Sequence, residues 1–136
     1  MWVAFDPATR SIRVPVLTVG PQRAYVFRCT LDTGATQTVL PAQYLRSLGC
    51  DLSQPVSRIR IRTATGTAVC PIVRVPHVRA LGHTRDDFLV AAQDFPPGVE
   101  TDGLLGLDFY RGLILRLDFA RGRASLAAPS WWRLWR

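Results

Sequence analysis

The sequence contains no lysine, so all 17 of its basic residues are arginines. Together with 10 acidic residues they give a formal net charge of +7. Such an excess is typical of proteins that bind nucleic acid or an acidic partner. However, the arginines are spread from Arg10 to Arg136 without an aromatic-basic RNA-binding motif, and a base-composition bias in the coding DNA explains the missing lysine equally well. We therefore expect no nucleic-acid partner.

Long hydrophobic runs are missing as well. No apolar stretch approaches the roughly 20 residues that a membrane-spanning helix requires. The first ten residues also lack the basic-then-apolar order of a secretory signal. The sequence therefore predicts no transmembrane segment and favours a cytoplasmic location.

Potential metal ligands are few. Cys29, Cys50 and Cys70 are odd in number and lack the spacing of metal ligands, so buried free thiols are favoured over one disulfide with a thiol left over. His77 and His83 are not joined by a cysteine or an acidic cluster. We expect no metal site.

What the sequence has in abundance is short strand patterns. At 136 residues it is long enough for one domain, and its apolar fraction of 48% is ordinary for a globular protein. Turn residues separate the strands at short spacing, which indicates a small barrel-like or sandwich β architecture. Strands are predicted over residues 12–19, 25–31, 39–40, 58–63, 69–78, 88–92, 113–119 and 124–128.

Two helices interrupt these strands. Pro41 is expected to open a short helix that extends through Leu48 and stops at Gly49. Asp102 is expected to cap a second helix, which Gly112 ends.

Two hairpins stand out in the pattern, and the first joins strands 12–19 and 25–31. In the strand over 25–31, apolar residues alternate with Val26, Arg28 and Thr30, and this half-buried strand leads directly into Asp32. The second hairpin joins strands 58–63 and 69–78. Its tip is small and is the part least anchored by packing; it consists of Thr63, Ala64, Thr65, Gly66, Thr67 and Ala68.

The loop Asp32-Thr33-Gly34-Ala35 lies between apolar segments. A carboxylate at the end of a buried strand is costly unless it has partners or stays protonated. Gly34 allows a sharp turn that brings backbone N–H groups towards that carboxylate. An Asx-type turn between two strands uses the same residue types, and the tripeptide alone does not distinguish the two interpretations.

This loop resembles the active-site loop of the retropepsin-like aspartic proteases. A second motif of that family, two hydrophobic residues and a glycine before a short helix, is matched by Leu104-Leu105-Gly106. Leu107-Asp108-Phe109 and the hairpin that follows look like the bacterial and retroelement branch. The resemblance covers roughly residues 12–126 and follows the family's order.

The resemblance implies a mainly β fold, a closed small β-barrel of the retropepsin type. Its short helices follow Pro41 and lie around residues 104–110, and the hairpin near Gly66 takes the place of the flap that closes over a bound peptide. The protease domain is expected over residues 1–128, with a Trp/Arg-rich tail over 129–136. For that tail and the segment 2–5 we favour a dimer interface, then packing on the chain's own barrel, then membrane contact.

The implied activity is that of an aspartic endopeptidase acting on a peptide or protein substrate. Because the chain has one Asp-Thr-Gly, the pair of carboxylates requires a homodimer with Asp32 from each subunit. Thr33 is expected to hydrogen-bond across the two-fold axis and Gly34 to permit close approach, while Ala35 and the hairpin tip bind substrate; no cofactor is implied. The alternatives are a catalytically silent peptide-binding or dimerisation module and an arginine-rich β-domain on nucleic acid.

Overall fold

A computed structural model describes residues 1–63 and 65–131 of the chain. These residues form ten strands and two short helices. In chain order they are β1 (Trp2–Ala4), β2 (Arg13–Val19), β3 (Ala24–Leu31), β4 (Val39–Leu40), α1 (Ala42–Ser47), β5 (Ser57–Thr63), β6 (Gly66–Ala80), β7 (His83–Ala92), β8 (Leu104–Leu105), α2 (Leu107–Tyr110), β9 (Ile114–Asp118) and β10 (Arg123–Ala127). No helix in this part of the chain is long and apolar enough to span a membrane.

Six strands form a ring-like sheet in the order β2-β3-β8-β4-β7-β6. The ring closes because β2 pairs with β3 on one side and with β6 on the other. Most pairings are antiparallel, whereas β3–β8 and β4–β7 are parallel. The period-two pattern turns Val14, Val16 and Phe27 into the interior, where they are fully buried. The mainly β prediction is confirmed, although Tyr25, on the face predicted to be buried, is 45% exposed.

Among the described residues, strand β5 pairs only with β6 and lies at an edge of this sheet. The hairpin β5–β6 was predicted from the alternation, and its register places Thr63 opposite Gly66. Its tip is shorter than predicted because Thr67 and Ala68 already pair with β5. Ala64, also predicted at the tip, lies outside the described residues.

The chain's two ends meet in a second sheet of order β1-β10-β9. The predicted closing hairpin is confirmed as β9–β10, and β1 adds to β10 with Trp2 opposite Ser125. The guanidinium carbon of Arg123 lies 4.2 Å from the centroid of a Trp2 ring, a cation–π contact. The segment at residues 2–4 therefore pairs with its own chain. Residues 132–136 of the tail lie outside the described part.

Helix α1 confirms the prediction of a helix after Pro41. Proline fixes φ near the helical value and lacks an N–H, so it suits the residue just before the helix. Ala42 and Leu45 turn into the core. Gly49 has φ +95°, a conformation that favours glycine, and the helix has ended by this residue.

The second helix is shorter than predicted. Leu104 and Leu105 form β8, and the helix begins only at Leu107. The reason is that these two residues fill a gap between β3 and β4: both pair with β3, and Leu104 also pairs with Val39 of β4. The cap predicted at Asp102 is wrong as well, because its Oδ2 accepts the Arg28 N–H at 2.8 Å, which ties the loop to β3.

The three cysteines are free and buried, as predicted. Burial, followed by the charge of Asp102, raises the pKa of the Cys29 thiol to about 12. Since the thiolate is the reactive form, Cys29 is chemically inert at neutral pH and serves as a core residue.

Thr18 of β2 is fully buried, and its Oγ1 has no hydrogen-bond partner among residues 1–63 and 65–131. We expect Thr18→Val to raise the free energy of unfolding by about 1 kcal/mol, because an unpaired buried hydroxyl is replaced by a methyl group of similar size. Denaturant unfolding at one protein concentration measures the change. The control is Thr38→Val, which removes an equally buried hydroxyl that does have partners and should destabilise. A loss of stability in Thr18→Val would contradict the prediction.

Candidate active site

Asp32 lies directly after β3, in the loop that connects β3 to β4. Strand β8 lies between these two strands, with Thr30 opposite Leu104 and Leu31 opposite Leu105. The Asp32 N–H donates to the Leu105 carbonyl at 3.0 Å. The loop is therefore supported from beneath by a strand that comes much later in the sequence.

The turn itself folds around the Asp32 carboxylate. The Gly34 N–H donates to Oδ1 of Asp32 at 2.9 Å, and the Ala35 N–H donates to the Asp32 carbonyl at 3.2 Å. A Cβ added at Gly34 would lie 3.2 Å from Oδ1, tighter than most real contacts. The Asx-type turn is thus present, and it leaves Oδ2 without a hydrogen bond to the described residues. Asp32 is half-buried, so this second oxygen remains available for chemistry.

Asp108 fixes the other end of the loop. Its Oδ1 accepts the Thr38 hydroxyl at 2.6 Å, and both of its carboxylate oxygens lie 3.0 Å from the Thr38 N–H. Gln37 donates to Oδ2 at 3.2 Å, and the Thr38 hydroxyl in turn accepts the Gly106 N–H at 3.1 Å. Helix α2 is therefore bonded to the loop by a charged, partly buried network.

Gly106 and Tyr110 complete this support. A Cβ at Gly106 would lie 2.8 Å from the Ala35 carbonyl oxygen, so only glycine lets the two loops pack this closely. The Leu107 N–H donates to the same carbonyl at 2.8 Å. Burial raises the pKa of Tyr110 well above its usual range, and the nearby Cys29, Asp32 and Asp108 add to the rise. The hydroxyl thus stays protonated and donates to the Leu105 carbonyl at 2.9 Å.

Two adjoining cavities open between this loop and the β5–β6 hairpin. The first, of about 350 Å³, is lined by Asp32, Gly34, Ala35, Thr36, Gln37, Val39, Ile59, Arg60, Ile61, Arg62 and Leu104. The second, of about 660 Å³, is lined by Val39, Ile61, Arg62, Thr65, Thr67, Ala68, Gln93, Asp94, Phe95, Pro96, Val99 and Leu104. Four residues are common to both, so the cavities form one cleft along the hairpin, with Asp32 at one end and an apolar pocket at the other.

Some of the predicted site residues line the two cavities, and others do not. Of the Asp-Thr-Gly loop, Asp32 and Gly34 line the smaller cavity, while Thr33 is exposed and lines neither. Predicted substrate-binding residues line both parts of the cleft: Ala35 the smaller cavity, and Thr65, Thr67 and Ala68 the larger one.

The remaining predicted residues lie apart from the cavity walls. Gly66 lines neither cavity and has φ +136°. Thr63 is placed only by its backbone pairing, and Ala64 lies outside the described residues. Leu104 faces both cavities, whereas Leu105 and Gly106 are buried behind the loop.

Sequence reasoning missed three contributors. Asp108 and Thr38 bond to each other across 70 positions, a separation at which no local pattern predicts contact. Arg60 and Arg62 were assigned only to the polar face of a strand, yet they line the cleft. The sequence predicts a loop at residues 95–98 but no part for it in a site, whereas Gln93, Asp94, Phe95, Pro96 and Val99 line the apolar pocket. The Phe95-Pro96-Pro97-Gly98 run, apolar but unsuited to a strand, was the available signal.

Within the described part of the chain, no group of three or more histidine, cysteine or acidic side chains is arranged to hold a metal ion. The chemistry considered for this site is that of the Asp32 carboxylate and its hydrogen bonds.

Comparison with known proteins bears on that chemistry. Residues 15–109, more than half of the chain, match a family model described as aspartyl protease. Comparison with curated proteins gives no match. Among solved structures, the crystal structure of a retropepsin-like aspartic protease from Rickettsia conorii is similar, with a TM-score of 0.65 and 18% identity over 95% of this chain and 92% of that chain. At this identity the similarity concerns the fold, which is retropepsin-like. The family match, which includes both Asp32 and Leu104-Leu105-Gly106, makes this chain a member of the aspartyl protease family.

Proposed function

We propose that the protein is an aspartic endopeptidase that acts as a homodimer, with Asp32 of each subunit forming the catalytic pair. The observation that carries the proposal is the setting of Asp32: Gly34 holds one carboxylate oxygen, the other makes no hydrogen bond to the described residues, and the residue lines a cleft. Because each chain has a single Asp-Thr-Gly loop, two chains are needed to bring two such carboxylates together.

The chemistry follows from two carboxylates that share a proton. Like charges at close range cannot both ionise easily, so one group stays protonated near the pH at which the other is charged. The ionised carboxylate accepts a proton from water, which attacks the scissile carbonyl, while the protonated carboxyl polarises that carbonyl. The step needs no covalent intermediate and no cofactor.

The other loop residues have supporting roles in this proposal. Thr33 is exposed and makes no hydrogen bond within residues 1–63 and 65–131, so its hydroxyl is available to bond across the two-fold axis. The β5–β6 hairpin covers the substrate, and the pocket lined by Phe95, Pro96 and Val99 takes a large apolar side chain. In this proposal the protease domain corresponds to residues 1–128, and the sequence at 129–136 is a candidate interface segment.

A cleavage assay tests the activity directly. Purified protein is incubated with a mixed library of peptides of eight or more residues across mildly to strongly acidic pH, and products are identified by mass spectrometry. We expect internal cleavage that a transition-state analogue of the pepstatin type inhibits. Absence of cleavage at protein concentrations where the dimer is populated would contradict the proposed activity.

The homodimer carries its own prediction. Sedimentation equilibrium at micromolar concentration should give about twice the 15.1 kDa of one chain, and specific activity should fall on dilution as dimers dissociate. A chain that sediments as a monomer at high concentration and still cleaves peptides would refute the shared site.

A further inference from the structure

Arg60 and Arg62 lie on the edge strand of the flap-like hairpin and line the cavity that contains Asp32. Arg62 also lines the apolar pocket, so it lies where the two parts of the cleft join. The register of β5 with β6 places these residues opposite Val69 and Thr67, which fixes their positions along the cleft.

Neither arginine has a partner among the residues that the structure describes. Among the described residues the ion pairs are His77–Asp86 and Arg121–Asp118. Other arginines are used internally, through carbonyl or hydroxyl acceptors or an aromatic ring: Arg74, Arg79, Arg85 and Arg123. Arg60 and Arg62 make no such contact within residues 1–63 and 65–131, and both are exposed.

The cavity around them is short of negative charge. Asp32 is the single acidic residue among those that line it. The apolar pocket has one carboxylate, Asp94, whose Oδ1 already accepts the Gln43 N–H at 3.1 Å. Arg60 and Arg62 therefore border a cleft whose other lining residues offer little negative charge to pair with their guanidinium groups. A ligand with its own carboxylate would supply the missing charge, and guanidinium groups bind carboxylates with two parallel hydrogen bonds.

We propose that Arg60 and Arg62 give the cleft a preference for peptides that carry a glutamate or aspartate beside the apolar residue held in the larger pocket. The inference rests on the proposed peptidase function and adds the class of substrate. A peptide is the favoured ligand because both cavities include residues of β5, an edge strand, and an extended backbone can add to such a strand.

Paired peptides that differ only by Glu or Gln at one position test this preference. Each pair is assayed at about pH 6, where a free glutamate is ionised, both for cleavage and for binding of the version with a reduced, uncleavable bond. We expect kcat/KM for the Glu peptide to be about tenfold higher than for its Gln partner at the preferred position, because the glutamate forms a charge-assisted hydrogen bond in a partly desolvated cleft. The preference should shrink with added salt.

Two variants locate the effect. Arg62→Gln should reduce the Glu-over-Gln ratio to nearly one, because it removes the charge that favours the Glu peptide. The matched control is Arg58→Gln, which makes the same change on the same face of β5 outside both cavities. The Glu-over-Gln ratio of Arg58→Gln should equal that of the parent protein. If the ratio fell equally in both variants, the preference would come from the net charge of the protein and not from Arg62, and the assignment would be overturned.

The two readouts separate this inference from the proposed function. Cleavage with equal rates for Glu and Gln peptides would overturn the acidic preference and leave the peptidase standing. Tighter binding of the Glu peptide without any cleavage would support the arginine site and refute the peptidase. Absence of both binding and cleavage would overturn both.

Discussion

Asp32→Asn is expected to reduce peptide cleavage to background while the fold and the dimer survive. The substitution is nearly isosteric, and the asparagine Oδ1 can still accept the Gly34 N–H that Asp32 accepts at 2.9 Å. What disappears is the titrating group, so the variant has neither the general base nor the general acid. Cleavage assays, sedimentation and circular dichroism on the same preparation measure activity, assembly and fold separately.

The matched control is Asp87→Asn, which makes the same chemical change outside both cavities. Asp87 has φ +48°, a conformation that asparagine tolerates well, so this variant should keep full activity. Residual turnover in pure Asp32→Asn protein would contradict the catalytic assignment.

Mixing parent and variant chains tests whether one active site is shared between two subunits. When parent and Asp32→Asn chains are mixed in equal amounts and allowed to exchange, random pairing leaves roughly one quarter of the dimers with two intact carboxylates. Activity at fixed total protein should therefore fall to about a quarter of the parent value. A value near one half would mean that each chain works alone.

Asp108→Ala is expected to lower the free energy of unfolding by about 3 kcal/mol and kcat/KM by about a hundredfold. The change leaves the buried Thr38 N–H and hydroxyl without their shared acceptor, the Asp108 carboxylate. It also frees the loop that positions Asp32, and a displacement of about 1 Å at a reacting group costs on the order of a hundredfold. Denaturant unfolding and kinetics well below the unfolding midpoint give the two quantities.

Two further variants show whether the effect of Asp108→Ala comes from its lost hydrogen bonds or from the loss of a carboxylate as such. Asp108→Asn keeps one oxygen for Thr38 and should lose far less than Asp108→Ala in both measurements. Asp51→Ala removes a carboxylate that also accepts two hydrogen bonds, but these come from Ser53 in its own exposed loop, so activity should be unchanged. If Asp108→Ala keeps full activity while folded, the network around Thr38 does not position Asp32.

The local part of this fold was predictable from sequence. Alternation of apolar and polar residues identified β2, β3, β5 and the closing hairpin within a few residues, because the side-chain period of a strand is a local property. Pro41 and Gly49 bounded α1 for the same reason, since each acts through its own backbone angles. Asp32 was found because Asp-Thr-Gly is a contiguous motif followed, at the expected distance, by Leu104-Leu105-Gly106.

What escaped prediction depends on which segments meet in space. Leu104 and Leu105 have ordinary helical propensity, and they form a strand because β3 and β4 present a gap that two extended residues fill. Asp102 is of a residue type that often caps helices, but its carboxylate accepts the Arg28 N–H instead. The cleft-lining role of Arg62 emerges only when β5 is placed at the edge of the sheet beside the Asp32 loop.

The dependence of the Asp32 loop on residues 70 positions later has a consequence for biosynthesis. A ribosome that adds 5–20 residues per second needs roughly 4 to 14 seconds to proceed from Thr38 to Asp108. During that interval the nascent chain has its aspartate but lacks the strand and carboxylate that hold the loop in place. Products of translation that stops before Leu104 would carry the motif without an assembled site, so under the proposed function proteolytic capacity arises only after synthesis has passed Asp108.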